Sequence, residues 1–115
     1  MKKTVKFSGT KDDEVAYFTA VFVPKDKERV DEIFGLVDSS VQLGEKDNEG
    51  IFTEDIGGTD RFSRIEKCND RIILRIKYRH ESSCGSFDDD IKDAKRDANS
   101  IVEQIEALIS VFEED

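Results

Sequence analysis

Residues 87–112 place Ile91, Ala94, Ala98, Ile101, Val102, Ile105, Leu108, Ile109 and Phe112 at steps of three and four. That spacing gathers the apolar side chains on one stripe of an α-helix about 40 Å long, at roughly 1.5 Å per residue. A helix with a single apolar stripe must bury it against one broad surface, which the rest of the chain has to supply. Ser86 with Asp89 three residues on resembles a capping box, and Asp88, Asp89 and Asp90 lie where the helix dipole favours acids. The helix therefore begins near Phe87. Its length predicts that one end overhangs the domain or packs on a second subunit.

Most of the remainder carries strand signals. Val15 to Val23 is apolar on both parities, as in a central strand covered on both sides for part of its length. Thr4 to Ser8 alternates, with Val5 and Phe7 inward. Arg61 to Lys67 and Arg71 to Arg79 flank Asn69-Asp70 and predict a hairpin with a tight turn, while Ile51 to Thr53 predicts a further short strand. Phe62 and Ile65 differ in parity, so the Arg61 strand is either bulged or covered on both faces. A second helix is predicted from Lys25 to Ser39, entered at Pro24, with Val30, Ile33, Phe34 and Val37 on one face. Gly35 costs that helix about 1 kcal/mol relative to Ala.

The resulting order, β-β-α-β-β-β-α, predicts a single α+β domain over residues 1–115. It has an antiparallel sheet of about five strands and both helices on one face. Gln42 to Asp60, with four glycines and six acids, is the one long irregular stretch and is expected to be mobile. In element order the chain resembles longin and roadblock-like domains, which pair a five-stranded sheet with helices. That resemblance implies a protein-interaction platform.

Composition narrows the setting. The chain has 115 residues, enough for one domain with its own core, and no apolar run approaches the roughly 18 residues of a membrane span. Met1-Lys2-Lys3-Thr4-Val5-Lys6 alternates charge instead of leading into an apolar signal segment, so a cytoplasmic location is expected. Cys68 and Cys84 bracket a predicted strand about 30 Å long, beyond the reach of a disulfide, and are expected as free thiols.

The net charge of -9 is unevenly spread. Residues 1–60 carry 14 acids and 8 bases, residues 61–80 carry 2 acids and 7 bases, and residues 81–115 carry 11 acids and 3 bases. The hairpin is basic and the body acidic. Alternation sends Ile72, Leu74, Ile76 and Tyr78 to one face and Ile73, Arg75, Lys77 and Arg79 to the other. Arg75, Lys77 and Arg79, joined by Arg61 or Arg64, form a cationic block suited to phosphate, nucleic-acid backbone or an acidic protein, or else paired across strands with nearby acids. The block lacks interleaved aromatics and the chain's charge repels polyanions, so nucleic acid is not the expected partner.

Acids point the other way. Asp47, Glu49, Glu54 and Asp55 in the Gln42 to Asp60 stretch, with Asp93 and Asp97 on the long helix, are the candidate contacts for a protein partner with a basic surface. In composition the chain resembles phage-encoded inhibitors of host defence, such as anti-CRISPR proteins, and the immunity proteins that neutralise nuclease toxins. The resemblance implies a small non-catalytic protein that binds and inhibits a basic nucleic-acid-acting enzyme. Two alternatives stand beside it: a homodimeric assembly module using the long helix and the sheet edge, and a nucleic-acid or phosphate-ligand binder using the basic hairpin.

Catalytic and metal motifs are scarce. His80 is the single histidine, and its nearest nucleophiles, Ser82, Ser83 and Cys84, are merely adjacent in sequence. Asp47-Asn48-Glu49-Gly50 and Asp88-Asp89-Asp90 offer oxygen ligands but follow no calcium-loop pattern, and Gly57-Gly58 lacks the Lys-Ser/Thr of a phosphate loop. No catalytic residue, metal or cofactor is expected.

Overall fold

A computed structural model describes residues 1–10, 14–56, 58–80 and 86–113. The fold is α+β: one antiparallel sheet of six strands and two helices, the second long and C-terminal. The strands are β1 (Lys2–Thr10), β2 (Val15–Val23), β3 (Glu45–Lys46), β4 (Phe52–Asp55), β5 (Thr59–Cys68) and β6 (Arg71–His80), in spatial order β1-β2-β6-β5-β4-β3. Helix α1 spans Val30–Ser40, behind a 3-10 turn at Lys27–Arg29, and α2 spans Phe87–Glu113.

Even residues of β2 (Ala16, Phe18, Ala20, Phe22) and of β6 (Ile72, Leu74, Ile76, Tyr78) face the helices and form the core with Ile33 and Val37 of α1. Ala94, Ala98, Ile101, Val102, Ile105 and Ile109 of α2 complete it, so the predicted stripe is the buried one. Ser86 caps α2: its hydroxyl accepts from the Asp89 backbone N–H at 3.2 Å. Asp26 likewise caps the 3-10 turn through the Glu28 N–H.

Neither end of α2 overhangs. At the C-terminal end, Glu113 accepts hydrogen bonds from the Met1 amino group at 3.0 Å and the Lys25 N–H at 2.9 Å, and Arg29 donates to the Phe112 carbonyl at 2.9 Å. At the other end, His80 Nε2 lies 2.8 Å from Asp90 Oδ2, with Phe87 edge-on to the imidazole. The described molecule measures 48 × 28 × 20 Å.

Three further expectations change. β5 pairs with β6 without a slip from Thr59–His80 to Cys68–Arg71, so the strand is not bulged; Phe62 points to the face opposite Ile65, and no helix covers it. The Gln42 to Asp60 stretch is not simply irregular, because it builds β3 and β4 and extends the sheet by one strand. Arg61 belongs to the core side of β5, so it leaves the cationic block, whereas Arg64 joins it. Cys68 is a free, exposed thiol. Cys84, with Ser82 and Ser83, lies outside the described residues, as do Gly57 and the last two acids. No described helix is long and apolar enough to cross a membrane.

Candidate binding surface on the open face of the sheet

Both helices lie on one side of the sheet, so the other side is built from strand residues alone. Cross-strand register makes that surface explicit. One row runs Ser8, Tyr17, Lys77, Phe62, Thr53 from β1 to β4, and the next runs Lys6, Thr19, Arg75, Arg64. By the same register this face carries Lys2, Lys6, Arg64, Arg71, Arg75, Lys77 and Arg79 against Glu45, Asp55, Asp60 and Glu66. It is net positive on a strongly acidic chain.

The two rows frame a concavity of about 320 Å³ lined by Tyr17, Thr19, Ile51, Phe62, Arg64, Arg75 and Lys77. Tyr17 is 48% exposed, and Phe62 is half-buried on the other side of Lys77. Some of the cations are held by acids: Arg79 pairs with Asp60 at 3.0 Å and lies 5.7 Å from the centre of the Phe62 ring, and Glu66 bridges Arg75 at 3.5 Å and Arg64 at 3.7 Å. Lys77 and Lys6 make no ion pair among the described residues. The strand thus presents Arg75, Lys77 and Arg79 together, as its alternation predicts, but only Lys77 is left without an acid.

The aromatic partners were hidden from a reading of β6 alone. Tyr17 belongs to β2 and Phe62 to β5, and only the register sets them beside Lys77. A signal existed in Phe62, the one large apolar residue of β5 out of step with Ile65.

The six candidate acids do not form one surface. Asp97 on α2 and Glu54 on β4 both close on Arg61, whose side chain is 5% exposed. Arg61 Nη1 donates to both Asp97 oxygens at 2.8 Å, Nη2 donates to Glu54, and the Tyr78 hydroxyl donates to Asp97 Oδ2 at 2.8 Å. Burial, and then the Asp97 charge, push the Tyr78 phenol far above its ordinary value, so it remains a donor. This network ties α2 to the sheet, a role with no local motif.

Asp47 is used within its own turn, accepting from the Glu49 N–H at 2.8 Å and the Ile51 N–H at 3.0 Å. The Ile51 bond, then the Glu49 bond, hold its carboxyl below the usual carboxylate range. Because the folded value is the lower one, the turn keeps its full contribution above the ordinary carboxylate value and loses it as pH falls toward the depressed one. An NMR titration is expected to show the Glu49 and Ile51 amides shifting at a lower pH than an unconstrained Asp would produce. Glu49, Asp55 and Asp93 are exposed, with Asp93 3.5 Å from Arg96.

The His80 imidazole is buried between Asp90 and Phe87. Among the described residues no three His, Cys, Asp or Glu side chains gather as a metal site. Compared with known proteins, the chain matches no family model, no curated protein and no solved structure.

Proposed function

We propose that this chain is a binding protein whose contact surface is the open face of its sheet. The observation that carries this is the row Tyr17, Lys77, Phe62: two rings and a cation with no ion pair among the described residues, around a concavity on the face that no described helix covers. Exposed tyrosine beside arginine is the composition of binding hot spots, and Tyr17 lines the same concavity as Arg64 and Arg75.

A second reading keeps the acids as the contact, in a protein that binds and inhibits a basic nucleic-acid-acting enzyme. Glu49, Asp55 and Asp93 favour it, being exposed and not consumed by a buried network. It is the weaker reading, since Glu54, Asp97 and Asp47 are engaged internally. Assembly through the sheet edge is opposed by the edges themselves. β1 presents Lys2, Lys3 and Lys6, and β3 is two residues long, both of which discourage edge-to-edge pairing.

A pull-down with the tagged protein, at low salt and at high salt, separates these. A partner held by the wild type and released by Lys77→Glu with Tyr17→Ala supports the sheet face. If that variant keeps the partner while Glu49→Lys with Asp55→Lys loses it, the contact is acidic and the first reading is wrong.

A further inference from the structure

The open face has two chemistries arranged in parallel. Tyr17 and Phe62 sit two strands apart, about 10 Å, with Lys77 on the strand between them. Lys6, Arg75 and Arg64 form a cationic row displaced by two residues, about 7 Å along the strands. From these rows we infer that the face takes a single-stranded nucleic acid, lying across the strands with bases on the rings and backbone phosphates along the cationic row.

This rests on the open sheet face being the contact surface. It goes further in naming the occupant. A ring two strands from another is placed for two bases splayed on separate platforms, and Lys77 between them meets the linking phosphate. Every base has a π-face, so such a platform is tolerant of sequence, and Arg75 and Arg64, which share the one acid Glu66, keep a net charge of +1 where the next phosphates pass. A duplex keeps its bases stacked on each other and cannot offer them to Tyr17 and Phe62. An acidic protein would satisfy the cations, yet its carboxylates have no π-face to lay on the two rings, whereas each nucleotide brings a phosphate and a base together.

The face is positive where the chain as a whole is negative, so long-range repulsion limits affinity and binding rests on short-range contacts. With about three phosphates engaged, log affinity should fall against log salt with a slope near -2, at roughly -0.7 per phosphate on a single strand.

The test is fluorescence anisotropy with labelled ten-nucleotide oligo-U and oligo-dT and a duplex of equal length, at 50 mM salt. Both single strands are expected to bind at least tenfold more tightly than the duplex. A preference between oligo-U and oligo-dT decides between RNA and DNA as the source of the strand. Tyr17→Ala, at an exposed position, is expected to weaken binding roughly tenfold, as is Phe62→Leu, which keeps apolar bulk and removes the ring. Lys77→Gln should reduce the salt slope by about 0.7. Thermal melts of each variant establish that it is folded.

Equal binding of duplex and single strand, with no effect of the ring variants, overturns the inference. So does an absence of binding at 100 μM protein. If oligonucleotides fail while Lys77→Glu with Tyr17→Ala still releases a protein captured in the pull-down, the occupant is an acidic protein. In that case this inference falls and the sheet-face reading stands.

Discussion

Asp97→Ala is expected to destabilise the fold by about 3 kcal/mol, more than any change confined to the exposed charges. The reason is what the substitution leaves behind. Arg61 has a side chain 5% exposed and among the described residues keeps only Glu54, itself half in solvent, while its Nε already lacks a partner there. The Tyr78 hydroxyl, buried under α2, loses its acceptor as well. A buried guanidinium stripped of its main counter-ion costs far more than an exposed ion pair contributes. Arg61→Met should be milder, about 1 to 2 kcal/mol, because Asp97 is 26% exposed and can hydrate once the cation is gone. Urea unfolding checks the order: the Asp97→Ala midpoint should fall furthest, with the slope unchanged. Equal, small losses for both variants would show the network to be no stronger than a surface pair. The same experiment bears on function, since an acid serving only a partner would change affinity and leave unfolding alone.

That network also marks where local sequence signals end. β6 and the long helix were legible almost to the residue, because period-2 alternation in Ile72 to Arg79 and period-3.6 recurrence in Ile91 to Phe112 are properties of one element at a time. Arg61 was ambiguous because β5 offers Ile65 on one parity and Phe62 on the other, and nothing within the strand says which face meets the helices. The neighbours decide it. Arg61 stands opposite Tyr78 and Phe62 opposite Lys77, so the core claims the cation and the open face keeps the ring. For the same reason the absence of aromatics among the cations was true of β6 and untrue of the surface, where β2 and β5 supply them. β3 escaped notice because two residues, Glu45 and Lys46, carry no period at all. Their pairing is set by the Asp47 turn and by Gly44.

Gly44→Ala is the sharpest test of that corner, with an expected loss of about 3 kcal/mol. Gly44 has φ +109°, a conformation L side chains rarely adopt, and a Cβ there would lie 2.2 Å from the Thr53 carbonyl oxygen and 2.8 Å from its carbon. The obstruction is backbone, so no rotamer change relieves it. Left-handed strain of roughly 1 to 2 kcal/mol adds to an overpacking cost of similar size. The least costly escape is for the Gly44–β3 segment and β4 to part, which loosens β4, the strand that sets Glu54 on Arg61 and follows Ile51 at the wall of the concavity. Hydrogen exchange should therefore quicken in Phe52 to Asp55 before it does in β2 or β6. Single-strand binding should weaken in parallel if Ile51 helps shape the site. Gly35→Ala is the matched control. Nothing lies within 4 Å of a Cβ at that helical position, and the substitution should raise stability by about 1 kcal/mol. Opposite signs at the two glycines follow from geometry alone; the same sign at both would mean that β4 does not pass Gly44 as closely as 2.2 Å implies.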